Sequence, residues 1–269
     1  MSGAMLLAID VGNTNLVFAL CEGEHILHRW RIAMNARRTA DEYVVWLNQL
    51  LILEGVDRAR IRAAIIASVV PAAMFELTLL CRSFFQVEPA IVGTPAVALG
   101  LHIDLPNPGE VGADRLVNAV AAHALVPGVL IVVDFGTATT FDVVDANGSY
   151  RGGVICPGIN LSMEALFNAA ARLPRIAVEP PAGGEGVIGH STVHAMRSGV
   201  FWGHVGLIEG LARRITSEIG MSTTVIATGG LAVLFERHTT AIHRVEPDLT
   251  IRGLVRIHQL NMDNNDTRK

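Results

Sequence analysis

Two stretches of the chain share one pattern. Residues 6–20 (LLAIDVGNTNLVFAL) and 130–144 (LIVVDFGTATTFDVV) each run apolar strand, aspartate, one residue, glycine, polar turn and second apolar strand. Asp10 and Asp134 stand almost half of the 269-residue chain apart. An internal copy at that spacing predicts two related lobes facing one another, and the length accommodates two moderate domains.

Composition narrows the class. Hydrophobic residues make up 51% of the chain and mean hydropathy is +0.42, enough for a substantial core and against disorder. The most apolar stretch, residues 63–75, is too short to span a bilayer and is broken by Pro71. The amino end lacks a basic flank and Asp10 interrupts its apolar run, so no secretory signal is expected. Cys21, Cys81 and Cys156 are odd in number and scattered, which fits neither a disulfide framework nor a zinc cluster. These features predict a cytoplasmic protein without membrane contact. A net charge of −4, with no helix-turn-helix and no basic patch, predicts no nucleic-acid partner.

Along the chain, a hairpin turning at residues 12–15 opens the first lobe. A helix follows over residues 39–55: Thr39 and Glu42 make a capping box, Val44, Leu47, Leu50 and Leu51 give the apolar repeat, and Gly55 ends it. A buried strand over 61–70 stops at Pro71, then come a helix over 71–85, a short strand at 89–93 and a Pro/Gly-rich loop over 94–111. The helix over 112–126 ends at Pro127-Gly128, which sets the expected boundary. The first lobe is thus read as 1–127, the second as 128–260, and 261–269 as a polar tail. The second lobe repeats the plan with a hairpin, a turn over 145–153, and a loop over 156–161 feeding a helix. After an irregular stretch from Arg172 to Gly189 come a long helix over about 191–219, a strand and another glycine turn. Alternating strands and helices predict an α/β fold with mixed β-sheets.

The turns carry the chemistry. In Asp10-Val11-Gly12-Asn13-Thr14, glycine lets backbone amides approach a phosphate, and Asn13 and Thr14 add polar contacts. Asp10, at a strand end, is the hard oxygen ligand that Mg²⁺ prefers. An isolated turn of this kind is as readily an ordinary hairpin. The second copy, Asp134-Phe135-Gly136-Thr137-Ala138-Thr139, makes coincidence a poor explanation. A third element, Gly229-Gly230, follows a strand and leaves amides free for a nucleotide. The chain has neither the Gly-Lys-Ser/Thr of a P-loop nor a G-x-G-x-x-G after a strand.

These elements in this order resemble the sugar kinase, actin and chaperone ATPase superfamily, which implies two duplicated ribonuclease H-like lobes and an actin-like ATPase fold. The ordered set DVGNTN, NPGEVGADR, DFGTATTFD, GGVICPGI, ATGGLA and LTIRGL resembles type III pantothenate kinases across nearly the whole chain. The resemblance implies ATP-dependent phosphorylation of pantothenate by a homodimer, with Mg²⁺ and a monovalent cation (K⁺ or NH₄⁺). It implies that Asp10, Val11, Gly12, Asn13, Thr14, Asn15, Leu16 and Val17 form the first phosphate-binding hairpin, and that Thr137, Gly229 and Gly230 also meet ATP. Gly112, Ala113, Asp114, Arg115 and Thr192 would meet pantothenate, with Asp114 as the base on its hydroxyl. Asp134 would bind the monovalent cation and Asp10 the Mg²⁺. Leu105 and Ser191 stand where the family commonly carries Tyr and Asn. Two other readings share these turns: another acid or sugar kinase of the superfamily, or a nucleotide-binding accessory factor. Arg115 beside Asp114 favours an acceptor that carries a carboxylate.

Two further features need a place. His190, His194 and His204 lack a carboxylate or cysteine at a familiar zinc spacing and read as surface or substrate-adjacent residues. Gly199, Gly203, Gly206 and Gly210 share one face of the long helix, at a cost of up to about 4 kcal/mol against alanine. Close packing inside the chain or a two-fold subunit contact would each explain them.

Overall fold

A computed structural model describes residues 3–169, 173–180 and 186–266. The strands in chain order are β1 (Met5–Val11), β2 (Asn15–Glu22), β3 (His25–Ala33), β4 (Ile61–Ser68), β5 (Pro89–Ile91), β6 (Val129–Phe135), β7 (Ala138–Val144), β8 (Tyr150–Pro157), β9 (Thr223–Thr228) and β10 (Arg244–Val245). The α-helices are α1 (Ala40–Leu53), α2 (Met74–Leu79), α3 (Ala113–Leu125), α4 (Ile159–Ala169), α5 (Thr192–Ile219), α6 (Ala232–Glu236) and α7 (Leu249–Asp266). They fall into two units. Unit 1 comprises residues up to Ala124 and from Leu249 onward, and unit 2 runs from Leu125 to Asp248.

The sheet of unit 1 has the order β3-β2-β1-β4-β5, with β3, β2 and β1 antiparallel and β1, β4 and β5 parallel. The sheet of unit 2, read from its other edge, is β8-β7-β6-β9-β10 with the same senses. Position for position, the second sheet repeats the first. β1 and β6 even share one burial run, a half-buried aspartate following five buried residues. The internal copy in the sequence is therefore a copy of topology.

Alternation along β1 sends Leu7 and Ile9 to one face of sheet 1, where Tyr43, Leu47 and Leu51 of α1 and Leu77 of α2 cover them. The capping box forms as expected: Thr39 Oγ1 accepts from the Glu42 amide, and Glu42 accepts from the Thr39 amide at 2.8 Å. Leu6 and Ala8 point to the other face, against Val117 and Val120 of α3 and Ile251, Leu254 and Val255 of α7. In unit 2, Ile131, Val133 and Phe135 pack on Phe201, Val205 and Ile208 of α5 and Phe235 of α6.

The C-terminal segment departs from the sequence reading. Residues 249–260 group with unit 1, and the polar stretch after them stays helical to Asp266. The apolar residues of α7 complete the second core face of sheet 1, an advantage that the polar composition of its last turns conceals. Gly253, in the LTIRGL motif, permits the approach: a Cβ there would stand 2.6 Å from Val117 Cγ1. Beside it, Thr250 Oγ1 donates to the buried Asn118 Oδ1 at 2.8 Å. Of the expected irregular stretch, 173–180 and 186–189 have no regular structure, and Arg172 lies outside the described residues. No helix among the described residues is long and apolar enough to cross a membrane.

Candidate active site

In unit 1 the site begins at the end of β1. Asp10 lies on the sheet face that α3 covers, because it alternates with Leu6 and Ala8. The turn after it is closed by the Gly12 amide donating to the Asn15 carbonyl at 3.0 Å, and the Met34 amide braces it from the Thr14 carbonyl at 2.9 Å. Asn13 and Thr14 are exposed at its tip. Beyond the end of β4, the Val69 amide donates to the Val11 carbonyl at 3.1 Å.

The beginning of α3 meets this strand end. A Cβ on Gly112 would lie 3.5 Å from Val69 Cγ1 and 2.7 Å from Asp114 Oδ1. Gly112 accepts the first helical bond, from the Leu116 amide at 3.3 Å, so the cap position is Gly112 rather than Asp114. Asp114 stands in the first turn, where its Oδ1 accepts from the Arg115 amide at 2.8 Å. A carboxylate there is favoured by the helix dipole. Unit 1 thus brings the Asp10 turn and Gly112 to Arg115 to one end of the same sheet, with Asp10 on the face that α3 covers.

In unit 2 three glycine elements converge. The Gly136 amide closes its turn on the Ala138 carbonyl at 3.0 Å, and the Gly158 amide donates to the Thr137 carbonyl at 3.1 Å. A Cβ on Gly158 would lie 2.7 Å from the Gly136 carbonyl oxygen, so the start of α4 rests directly on the Asp134 turn. Gly229 has φ +90°, and its Cβ would stand 2.6 Å from both Asp134 Oδ1 and the Phe135 carbonyl oxygen. Sequence reasoning found each motif, yet it assigned Gly158 no contact. Thr137 is exposed at the turn, and Gly230 is exposed next to Gly229. Thr192 opens α5 on the exposed surface, one residue after Ser191, whose Oγ accepts from the His194 amide at 3.2 Å.

His204 departs from the sequence reading. It is 5% exposed, packs against both Phe135 and Phe235, and its Nε2 is 3.1 Å from Thr139 Oγ1. Burial pushes its pKa below the ordinary imidazole value. The four glycines of α5 depart too. A Cβ on Gly199, Gly203, Gly206 or Gly210 would meet nothing within 4 Å among the described residues. Close packing inside the described chain does not explain the stripe.

The oxygen donors at Asp134 suit a hard cation. No group of three or more His, Cys, Asp or Glu side chains among the described residues could enclose a metal. Asp134 instead shares its surroundings with a neutral oxygen, the Phe135 carbonyl. A carboxylate with a neutral oxygen beside it fits a monovalent cation there. Mg²⁺ bound to a nucleotide keeps several waters and needs only one or two carboxylates, so a single aspartate such as Asp10 is compatible with it.

Residues 6–214 match the sequence profile of type III pantothenate kinase. A type III pantothenate kinase of Paramagnetospirillum magneticum is 60% identical over 96% of this chain and 98% of its own length. The chain belongs to the type III pantothenate kinase family. Family members from Rhodospirillum rubrum and Caulobacter vibrioides are 58% and 54% identical, each over 96% of this chain and 99% and 98% of their own. Among solved structures, a Baf family protein from Campylobacter jejuni superposes with TM-score 0.59 at 18% identity, covering 96% of this chain and 99% of that one. An activator of 2-hydroxyisocaproyl-CoA dehydratase from Clostridium difficile, bound to ADPNP, gives 0.54 at 15% identity, covering 98% of both chains. At such identities these structures show the fold alone, the duplicated α/β ATPase fold that this pantothenate kinase sequence shares.

Proposed function

We propose that this chain transfers the γ-phosphate of ATP to the primary hydroxyl of pantothenate, with Asp114 as the base. The bond from the hydroxyl oxygen to the γ-phosphorus forms, the bridge to the β-phosphate breaks, and the hydroxyl proton passes to the Asp114 carboxylate. The product is 4′-phosphopantothenate, the first intermediate towards coenzyme A. One observation supports the assignment most: α3 starts against the end of β4, with the Asp114 carboxylate folded over a glycine beside the Asp10 turn. Phosphoryl transfer asks chiefly for alignment and charge neutralisation, which rigid strand ends and helix starts supply.

The hairpin from Asp10 to Val17, Thr137, Gly229 and Gly230 hold the nucleotide through backbone amides and hydroxyls. Arg115 pairs with the pantothenate carboxylate beside Gly112 and Ala113, and Thr192 reaches pantothenate from a partner subunit. Asp10 would hold Mg²⁺ and Asp134 a monovalent cation; when bound, these ions would neutralise charge on the phosphates. The open glycine stripe of α5 supports a homodimer, since Gly199, Gly203 and Gly206 are exposed, none of the four gains a contact within the described chain, and the stripe admits a close partner backbone.

The deciding experiment measures ADP release from Mg²⁺-ATP, with and without K⁺, on pantothenate, sugars and short hydroxy acids. Turnover on pantothenate is expected, with a new phosphomonoester signal by ³¹P NMR. Turnover on a sugar and none on pantothenate would assign the chain to another kinase of the superfamily.

A further inference from the structure

Asp142 is a wholly buried carboxylate that no step above uses. It lies on β7 and accepts from Tyr150 Oη into Oδ1 at 2.6 Å and from Thr140 Oγ1 into Oδ2 at 3.1 Å. Tyr150 is equally buried, so the carboxylate is anchored from β8. Register places this group beside the proposed cation site. Thr140 is the cross-strand partner of Asp134, and Asp142 is the partner of Val132, one row further along the same sheet. Alternation puts Asp134, Thr140 and Asp142 on one face, opposite Phe135 and Phe141 of the core. Directly opposed residues of antiparallel strands hold their Cβ atoms about 4.5–5.5 Å apart.

We propose that Asp142 is a positioning residue. It draws the Thr140 hydroxyl hydrogen to itself, so that the Thr140 oxygen presents lone pairs beside Asp134 and becomes a second ligand of the monovalent cation. A hydroxyl has one hydrogen and two lone pairs. With the hydrogen committed to Asp142, its oxygen acts only as a donor of electron pairs, as a K⁺-sized cation requires. Tyr150 fixes the carboxylate that fixes the threonine, the relation by which outer hydrogen bonds orient metal ligands. The inference rests on Asp134 as the cation ligand.

The test compares Thr140→Val, Thr140→Ser, Asp142→Asn, Tyr150→Phe and Asp134→Asn. Two quantities are read: the K⁺ concentration giving half-maximal turnover, and the K⁺ dependence of Mg²⁺-ADP affinity by calorimetry. Thr140→Val and Asp142→Asn should raise the half-saturating K⁺ by about 10-fold or more and flatten the K⁺ dependence of binding. Thr140→Ser, which keeps the hydroxyl, should restore the parental K⁺ response. A merely structural role would lower thermal stability and leave the K⁺ response of the folded fraction unchanged. Because Asp142→Asn carries a folding risk in a buried site, the half-buried Thr140 pair decides the matter. If Asp134→Asn alters the K⁺ response and Thr140→Val does not, the inference falls while the cation reading stands. If Asp134→Asn itself leaves that response intact, the reading of Asp134 falls first.

Discussion

The place that a Cβ atom on Gly229 would take is already held by Asp134: the built atom stands 2.6 Å from the carboxylate Oδ1. Two motifs far apart in the chain are therefore one steric unit, and β9 can end against β6 only while residue 229 has no side chain. The carboxylate and the Phe135 carbonyl meet at that point, so a substitution there perturbs two oxygens together.

Gly229→Ala should accordingly cost about 1–3 kcal/mol of stability, since it adds a side chain at φ +90° as well as the clash. Apparent ATP affinity should fall with it. Gly230→Ala is the control for stability alone, because a Cβ there meets nothing within 4 Å among the described residues. Urea unfolding and KM for ATP, measured on both variants, check the contrast.

Asp114→Asn should keep the fold and lower kcat by about 10²–10⁴-fold, the usual worth of a positioned base. KM for pantothenate should move far less. Steady-state kinetics with a thermal melt decide this, and near-parental kcat would remove Asp114 from the reaction.

Helix glycines separate packing from assembly. Gly253→Ala should destabilise by about 1–3 kcal/mol, because the backbone and side chain of Val117 stand where its Cβ would go. Gly203→Leu has free space within the described chain and should leave the fold intact while shifting sedimentation towards monomer. An unchanged dimer would place the subunit contact elsewhere.

Acid should destabilise the protein through His204 and His258. Burial lowers both pKa values from the usual 6.5, so the unfolded chain binds these protons more readily than the folded one. The contribution is complete above the unfolded value and is lost as pH falls towards the folded one. Thermal midpoints should drop as pH falls below about 6.5, and His204→Gln should flatten that dependence.

Much of this was legible in the sequence because the signals were local. The capping box at Thr39, the strand halted by Pro71 and the repeated Asp-x-Gly turn depend on neighbouring residues alone. The third strand of each sheet was not legible. β3 lies at an edge with His25, Arg29 and Arg31 outward, and β8 carries Gly152 and Gly153, which weaken a strand pattern. Nor could the sequence assign α7 to unit 1, since a contact such as Gly253 on Val117 spans more than a hundred residues. For the site, the residue types were readable at Asp10, Asp114 and Asp134. The fit of Gly158 and Gly229 around one turn, and the burial of His204 behind it, arise only from tertiary contacts.

The position of α7 has a consequence for synthesis. The first sheet receives Ile251, Leu254, Val255 and Ile257 on one face only after all of unit 2 has been made. On the ribosome, the amino-terminal unit waits, half covered, while the unit encoded after it has already emerged complete. Domains usually mature in the order they are made; here the earlier unit is the last to close, and a stop codon placed just before α7 would strip one face of a sheet made long before it.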